Sequence, residues 1–166
     1  MTHYKNLVIC ALDNTHDRPA FQCGNDQLDN YLKKQAKQDI KRRISRAFIA
    51  SLPEEPSTIV GYYTLSTISI ELDQLPEETK RKLPRHPIPG ALIGRLAVSK
   101  HAQGHGIGRI LLANAIKRTL AVSQEIAIYA MVVDAIDKQA ASFYRQYGFS
   151  TLGSHEYRLY LPLKSL

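Results

Sequence analysis

Three glycines in the middle of the chain alternate with other residues in a pattern suited to binding an anion. Gly104, Gly106 and Gly108 stand between an apolar run that ends at Val98 and a helix-forming segment rich in Leu, Ile and Ala. Glycine lets the backbone approach a ligand closely, and the first N–H groups of a helix have no partners within it. A diphosphate can accept those N–H groups where the helix dipole is positive. The pattern therefore predicts a strand, an anion-binding loop and a helix.

The spacing of the glycines excludes the two commonest nucleotide-binding loops. A P-loop would end in Gly-Lys-Ser or Gly-Lys-Thr, and a Rossmann loop would place its third glycine three residues after the second. Here single residues, His105 and Ile107, separate the glycines, and Arg109 follows the last of them. Neither nucleotide-binding pattern is met.

A second pattern lies downstream and carries a phenol. Ala140, Phe143, Tyr144, Gly148 and Phe149 form the sequence Ala-x-x-Phe-Tyr-x-x-x-Gly-Phe. The spacing places the alanine and the aromatic residues on one face of a helix, and Gly148 suits the left-handed end of that helix. Tyr144 at this spacing is either an aromatic residue of the core or a phenol that takes part in chemistry. Both interpretations are open from these residues alone.

Together the two patterns resemble the GNAT superfamily of N-acetyltransferases. Gln103-x-x-Gly106-x-Gly108 after a Leu-Ala-Val strand is similar to the acetyl-CoA pyrophosphate loop of that superfamily, and the 140–149 pattern is similar to its closing helix and strand. The resemblance implies an α/β (α+β) fold, with one GNAT-type domain over residues 1–166. It also implies a central mixed, splayed sheet flanked by helices, with acetyl-CoA in its cleft.

The resemblance also implies roles for individual residues. The backbone of the strand end would pair with the pantetheine arm, the glycine loop would hold the pyrophosphate, and Tyr144 would protonate the departing thiolate as general acid. Asp137 stands where the superfamily often has Asn, and Arg109 is either a phosphate ligand or a solvent-facing arginine. The expected coenzyme-binding set is Leu96, Ala97, Val98, Gln103, Gly104, His105, Gly106, Ile107, Gly108, Arg109, Asp137 and Tyr144.

The strand before the glycine loop has no carboxylate, although many members of the superfamily carry a Glu base there. A lysine side chain with a pKa near ~10.4 would need strong help to lose its proton at neutral pH, whereas an α-amine with a pKa near ~7.7 to 8.0 is already partly neutral. The missing carboxylate in 91–98 therefore favours an α-amine as acceptor. Glu71, Asp134 or a chain of waters are the alternative routes for the proton.

Other segments resemble the GNAT toxins of type II toxin–antitoxin systems. The segments that carry the likeness are 21–32, 60–66, 87–89 and 94–98. The resemblance implies acetylation of the α-amine on aminoacyl-tRNA, arrest of translation and a ribbon-helix-helix antitoxin as partner, and such toxins often form homodimers. The alternatives are a GNAT enzyme for a small amine or a protein N-terminus, and a non-catalytic module that binds acetyl-CoA or RNA.

The charge of the chain makes a nucleic-acid substrate worth testing. Lys and Arg outnumber Asp and Glu by 22 to 15, which gives a net charge of +7 and attracts polyanions. Cations cluster on the predicted first helix, where they form either an ordinary solvated face or a track for phosphates. The expected substrate-binding residues are Arg95, Lys33, Lys37, Lys41, Arg42, Arg46 and Arg85.

The rest of the chain supplies the elements that would position these groups. Apolar runs of strand length alternate with apolar residues at helical spacing, and Pro and Gly mark the turns. Asn25 or Asp26 is the predicted cap of the first helix. We predict strands at 7–12, 47–52, 58–66, 91–98, 126–133, 149–152 and 157–163, helices over 28–40, from the glycine loop to about Val122 and over 140–147, and an irregular segment at 71–90.

Composition argues against several classes of protein. The N-terminus is polar and no apolar run approaches the roughly 20 residues of a membrane span, which predicts a soluble cytoplasmic protein with no membrane partner. Cys10 and Cys23 lack metal-ligand spacing, so no metal is expected. Cys10 lies in an apolar run and is predicted to be a small core residue.

Overall fold

The computed structural model describes residues 4–85 and 87–166, and its strands form one seven-stranded mixed sheet. The strands are β1 (Val8–Ala11), β2 (Arg46–Ser51), β3 (Gly61–Ile70), β4 (Ile88–Val98), β5 (Ala130–Asp134), β6 (Ser150–Thr151) and β7 (Arg158–Pro162). Their order across the sheet is β1-β2-β3-β4-β5-β7-β6. This mixed sheet with its helices confirms the predicted α/β (α+β) class.

Helices of three kinds occur in the described residues. The α-helices are α1 (Asp26–Asn30), α2 (Ala36–Lys41), α3 (Glu77–Lys80), α4 (Ile107–Val122) and α5 (Lys138–Gln146). A π-helical turn, Tyr31–Gln35, joins α1 to α2, and 3₁₀ turns lie at Leu72–Gln74, Lys100–Ala102 and Leu163–Ser165. Within the described residues, no helix has the length and apolar character needed to cross a membrane.

The chain divides into two compact units. Unit 1 comprises Met1–Ser66 and Arg95–Lys117, and unit 2 comprises Thr67–Gly94 and Arg118–Leu166. Strands β3 and β4 contribute residues to both units. The single domain expected over 1–166 stays a prediction.

Unit 1 is built on antiparallel strands packed against the helical segment from α1 to α2. Strand β2 pairs antiparallel with both β1 and β3, as the predicted hairpin requires. The side chain of Asn25 accepts a hydrogen bond from the Leu28 N–H at 3.0 Å and begins α1, which confirms the predicted cap. The core of this unit contains Phe21, Leu28, Tyr31, Leu32, Ala36, Ile49, Ile59, Tyr62 and Ala97.

Unit 2 is built on β5, which is fully buried from Ala130 to Val133. It pairs parallel with β4 and antiparallel with β7. Arg158 of β7 donates to both carboxylate oxygens of Asp134, at 2.7 and 2.9 Å, and so joins the ends of the two strands. The core of this unit contains Ile70, Leu75, Ile88, Ala130, Val132, Leu152 and Tyr160.

The predicted strand over 126–133 begins four residues too early. The N–H of Ile126 donates to the Val122 carbonyl at 3.0 Å, so this part of the chain extends the last turn of α4. Ile126 is 68% exposed. Its apolar character therefore reflects neither strand pairing nor burial, and β5 starts at Ala130.

The predicted burial of Cys10 is wrong. Strand β1 lies at the edge of the sheet, and Cys10 is exposed while Val8 is 46% exposed. An edge strand pairs on one side only, so its apolar run does not require burial of each side chain. Strand β4, by contrast, is longer than predicted because it starts at Ile88 instead of Ala91.

Candidate functional site

The glycine loop has a backbone that only glycine adopts easily, and it is open to solvent. Gly104 has φ +83° and Gly106 has φ +76°, in the left-handed region. A Cβ atom added at either position would meet no heavy atom within 4 Å. The glycines are therefore required by the backbone, and the space beside them is free for a ligand.

The ends of this loop are fixed by buried or hydrogen-bonded side chains. The Nε2 of Gln103 donates to the Cys23 carbonyl at 2.7 Å and to the Val98 carbonyl at 2.9 Å. At the other end, Ile107 is 1% exposed and anchors the start of α4. The side chain of Gln103 thus binds two backbone carbonyls and positions the loop. A contact between Gln103 and the coenzyme would therefore come from its main chain.

The N-terminus of α4 supplies the donors that an anion needs. The Ile110 N–H donates to the Gly106 carbonyl at 3.2 Å, and the N–H groups before it have no partner within the helix. Arg109 is exposed in this first turn, which leaves its guanidinium accessible to a phosphate. His105 is exposed, and its ring centroid lies 5.0 Å from that of Tyr4.

The end of β4 leaves its ladder with β5 before the glycine loop begins. The parallel pairing with β5 runs from Gly90 to Ile93, whereas β4 continues to Val98. The last residues, Leu96 to Val98, therefore extend beyond that pairing, and the expected splay of the sheet stays a prediction. Ala97 is buried, and its carbonyl lies 2.9 Å from where a Cβ of Gly61 would be.

Tyr144 is buried on α5 with its phenol surrounded by aromatic rings. It is 5% exposed, and its ring lies 5.2 Å from that of Phe143 and 5.6 Å from that of Phe149. Burial raises the pKa of the phenol above its usual value. The hydroxyl has no hydrogen-bond partner among the described residues. Tyr144 thus offers a neutral O–H donor that makes no hydrogen bond within the described residues.

The side chain of Asp137 caps α5. Its Oδ1 accepts a hydrogen bond from the Ala140 N–H at 2.8 Å. This carboxylate is therefore part of the helix that carries Tyr144. Its predicted contact with the coenzyme stays a prediction.

Both carboxylates named as alternative bases have structural partners in unit 2. Asp134 forms the bidentate ion pair with Arg158 described above. Glu71 caps the 3₁₀ turn at Leu72–Gln74, in a reciprocal arrangement with Gln74. Each carboxylate is therefore engaged in a structural contact, and its part in removing the proton of the amine stays a prediction.

Most of the predicted substrate-binding cations lie in unit 1 between the π-helical turn and the first residue of β2, together with Lys34 and Arg43. We call this set the basic surface. Lys33 is half-buried and the other members are exposed, as is Arg85 in unit 2. The members of the basic surface are Lys33, Lys34, Lys37, Lys41, Arg42, Arg43 and Arg46.

The environment of Arg95 could not be predicted from the spacing of residues. Its guanidinium carbon lies 3.5 Å above the ring centroid of Tyr31, and no carboxylate in the described chain lies within ion-pair distance of it. Tyr31 itself belongs to the π-helical turn, which has no sequence signature comparable to a cap or a glycine pattern.

The side chains that could ligate a metal are dispersed. Among residues 4–85 and 87–166, no group of three or more His, Cys, Asp and Glu side chains could hold a metal ion. Cys10 and Cys23 are both free thiols.

Comparison with known proteins identifies the class to which this fold and site belong. Residues 46–151, more than half of the chain, match the sequence profile of the family described as Acetyltransferase (GNAT) domain. The chain belongs to this GNAT acetyltransferase family. The predicted superfamily and enzyme class are thereby confirmed.

Two relatives within this family are toxins. The chain is 32% identical, over 96% of its length and 92% of the relative, to a probable toxin TacT from Sinorhizobium fredii. It is 31% identical, over 92% of its length and 90% of the relative, to a tRNA-acetylating toxin from Mycobacterium tuberculosis. The expected resemblance to GNAT toxins is therefore confirmed.

Solved structures give the same result. AtaT complexed with acetyl-methionyl-tRNAfMet matches with a TM-score of 0.89 and 31% identity, over 96% of both chains. A Tyr-to-Phe mutant of the AtaT toxin, bound to acetyl-CoA and the C-terminus of the antitoxin AtaR, matches with a TM-score of 0.81. Its identity is 28%, over 96% of this chain and 94% of that chain.

Proposed function

We propose that the protein is an acetyl-CoA-dependent N-acetyltransferase that acetylates the α-amine of an aminoacyl-tRNA and so arrests translation as a toxin. One observation carries the proposal. Likeness to a tRNA-acetylating toxin over 92% of the chain coincides with a buried phenol at Tyr144 that has no partner in the described residues. The same chain also presents an open glycine loop and the basic surface.

The glycine loop fits the diphosphate of coenzyme A. An added Cβ at Gly104 or Gly106 would enter open space, so the backbone can come close to a ligand there. The free N–H groups at the start of α4 are donors for its oxygens, and the exposed Arg109 adds a cation. Acetyl-CoA, when bound, supplies the activated acetyl thioester.

Tyr144 acts as general acid in this proposal. Its raised pKa keeps the phenol protonated at neutral pH, and no acceptor in the described chain competes for the proton. The phenol donates its proton to the departing thiolate as the amine attacks the acetyl carbonyl. Asp137 holds the first turn of the same helix and so fixes the position of the phenol.

The acceptor is an amine that loses its proton without a dedicated base. Asp134 and Glu71 are both held by structural partners. An α-amine, with a pKa near ~7.7 to 8.0, is partly neutral at physiological pH, whereas a lysine side chain is not. This chemistry supports the ester-linked amino acid of a charged tRNA as the acceptor, with its phosphates on the basic surface.

The proposal extends to partners and cellular site. A ribbon-helix-helix antitoxin would neutralise the protein, two copies would form a homodimer, and both would act in the cytoplasm, as the resemblance implies. The AtaT toxin bound to part of its antitoxin supports the first of these. A small reading frame of that type beside the gene and a coexpressed complex would test the antitoxin, sedimentation of the purified protein would test the homodimer, and cell fractionation would test the cytoplasmic site.

Induced expression tests the proposal directly. Cells receive the wild-type gene, Tyr144→Phe or Tyr147→Phe, which removes a half-buried hydroxyl from the end of the same helix as a matched control. Growth and the mass of aminoacyl-tRNA are measured. We expect growth arrest and acetylated aminoacyl-tRNA with the wild type and with Tyr147→Phe, and neither with Tyr144→Phe.

Two other results would overturn it. Harmless expression with turnover of a small amine would indicate an ordinary GNAT enzyme. Absence of coenzyme A release with any amine, together with unchanged RNA affinity after substitution in the glycine loop, would indicate a non-catalytic binding module.

A further inference from the structure

The π-helical turn places two buried polar side chains on the same face of one helical segment. Tyr31 and Asp39 are eight residues apart, which in an uninterrupted α-helix would leave their side chains about 80° apart. In the π turn the Ala36 N–H donates to the Tyr31 carbonyl, five residues back, so one extra residue is accommodated. The two side chains then lie about 20° apart, as if seven positions separated them.

The consequence is a hydrogen-bonded pair between these side chains. The Tyr31 hydroxyl donates to Asp39 Oδ2 at 2.8 Å, and Gln35 Nε2 donates to Oδ1 at 3.0 Å. Tyr31 is 7% and Asp39 8% exposed. Burial, followed by the hydrogen bond to Asp39, raises the pKa of Tyr31 to about 12. The phenol therefore stays protonated. Its ring is held by the backbone of the helical segment on one side and by the hydrogen bond to Asp39 on the other.

The guanidinium of Arg95 stacks on the ring of Tyr31. The guanidinium carbon lies 3.5 Å from the ring centroid, a stacked geometry in which the ring face attracts the cation. The hydrogen bond to a carboxylate polarises the phenol, which makes the ring face more negative. No Lys or Arg in the described chain forms an ion pair with Asp39. The Tyr31 phenol is therefore the group that contacts both Asp39 and Arg95.

A guanidinium stacked in this way keeps its in-plane N–H donors available. Arg95 is half-buried and has no carboxylate partner in the described residues, so its fork of donors suits a phosphate. The exposed cations Lys41, Arg42 and Arg43 follow Asp39 closely along the chain. Arg95 thus belongs to the same cationic region of unit 1 as the basic surface.

We propose that Tyr31 and Asp39 are positioning residues, which the π turn brings together to hold the Arg95 guanidinium for a phosphate of the RNA substrate. The inference rests on the proposed function in taking that phosphate to belong to the acceptor tRNA. It assigns the π turn a role in substrate recognition, in agreement with the frequent placement of π-helical turns at functional sites.

Kinetics and binding of four variants test the proposal. KM and kcat for charged tRNA, KM for acetyl-CoA, and the salt dependence of uncharged tRNA binding are measured for Arg95→Ala, Tyr31→Leu, Tyr31→Phe and Tyr62→Phe. Tyr62→Phe is the matched control because its buried hydroxyl donates to the Leu28 carbonyl at 2.6 Å, on the same helical segment, whereas the stacked contact of Arg95 is with the Tyr31 ring.

We expect the variants to differ in KM for charged tRNA and in tRNA binding, and not in KM for acetyl-CoA or in kcat. Arg95→Ala raises KM for charged tRNA about tenfold and lowers the salt slope of tRNA binding by about one phosphate contact. Tyr31→Leu raises KM severalfold because the platform is lost, and Tyr31→Phe raises it by no more than about threefold because the ring remains. Tyr62→Phe leaves KM unchanged, and in all four variants KM for acetyl-CoA and kcat stay near wild type.

A spectroscopic measurement keeps the test decisive if Tyr31→Leu fails to fold. The Nε–Hε resonance of Arg95 is expected to be shifted upfield by the ring in the wild type and in Tyr31→Phe, and to move when uncharged tRNA is added. An unshifted resonance in the wild type would overturn the platform. So would a KM for tRNA that is the same in Tyr31→Leu as in the wild type.

The two proposals can fail separately. If no aminoacyl-tRNA is acetylated while uncharged tRNA binding still depends on Arg95 and Tyr31, the proposed function fails and the positioning role stands. If acetylation proceeds and tRNA binding is indifferent to both residues, the positioning role fails alone.

Discussion

Tyr144 keeps a hydroxyl group where the fold does not need one. Its hydroxyl makes no hydrogen bond within the described residues, and phenylalanine would fill the same place beside Phe143 and Phe149. The hydroxyl is therefore available for the proposed role as general acid, which the sequence pattern alone did not distinguish from packing.

This reasoning separates stability from activity in Tyr144→Phe. The variant should unfold at about the same temperature as the wild type, because the hydroxyl makes no hydrogen bond within the described residues and the ring remains. Its kcat for acetyl transfer should fall about 10²- to 10⁴-fold, the usual contribution of a general acid. Calorimetry and coenzyme A release measure the two quantities. A marked loss of stability would assign Tyr144 to the core instead.

The raised pKa of Tyr144 also predicts the pH profile. The acceptor amine must be neutral, so the rate should rise through about pH 8. A general acid with its usual pKa near ~10 would cause a fall at alkaline pH, but burial raises the pKa of Tyr144, so its acid form persists above that range. We expect kcat/KM to rise and then stay level to about pH 10. A decline that begins near about pH 9 would contradict this assignment.

The elements were predictable where local patterns determine them. The Asn25 cap, the hairpin of β2 and β3, and the glycine that ends α5 each have a local physical cause, and all three are confirmed. The start of β5 and the burial of Cys10 were predicted wrongly because they depend on pairing and on position in the sheet. The π turn was missed because no cap, glycine or proline pattern marks the extra residue, and apolar residues at 28, 32, 36 and 40 also fit an uninterrupted helix.

The glycine loop offers a test at the scale of an element. Gly106→Ala combines backbone strain at φ +76° with a methyl group in the space where the diphosphate is expected. KM for acetyl-CoA should rise about tenfold or more, since one blocked N–H contact is a charge-assisted hydrogen bond. Titration of coenzyme A by calorimetry gives an independent value.

Gly153→Ala is the matched control for this change. Gly153 has φ +67°, so alanine there imposes a similar backbone strain, but it lies against Gln74 in unit 2. Its stability should fall as in Gly106→Ala, while KM for acetyl-CoA stays at the wild-type value. Equal rises in KM for acetyl-CoA in both variants would mean that backbone strain at a glycine, and not a lost contact with the diphosphate, causes the effect.

Over the whole molecule, the sequence identified the family, the fold class and the toxin likeness, because these depend on motifs with fixed spacing. It could not predict the contacts between distant segments, such as Arg95 on Tyr31 or Gln103 on two carbonyls. Those contacts depend on how β4 and the helical segment of unit 1 pack, which no local pattern encodes. The net charge of +7 indicated a polyanion, and the structure exposes most of the basic surface.

Reversing three charges on the basic surface tests this global property. Lys37→Glu, Lys41→Glu and Arg42→Glu together lower the net charge by six, from +7 to +1. Affinity for tRNA should fall at least about a hundredfold at low salt, and the salt slope should fall by about two to three contacts. Filter binding over a salt series provides both values, and KM for acetyl-CoA should not change.

Reversal at Lys5, Lys117 and Lys164 is the control with the same net charge. These lysines are exposed and lie outside the basic surface. Their reversal should weaken tRNA binding much less. Equal losses from the two triple variants would show that net charge alone, without a localised surface, attracts the RNA.

The two hydrogen bonds from Gln103 have a consequence for genetics. Glutamate has the same shape but cannot donate, so Gln103→Glu would set a carboxylate against two carbonyl oxygens and release the glycine loop. One base substitution converts a glutamine codon into a glutamate codon. Among colonies that survive unneutralised expression of this gene, this allele should recur, and it should inactivate the protein while leaving Tyr144 and the basic surface unchanged.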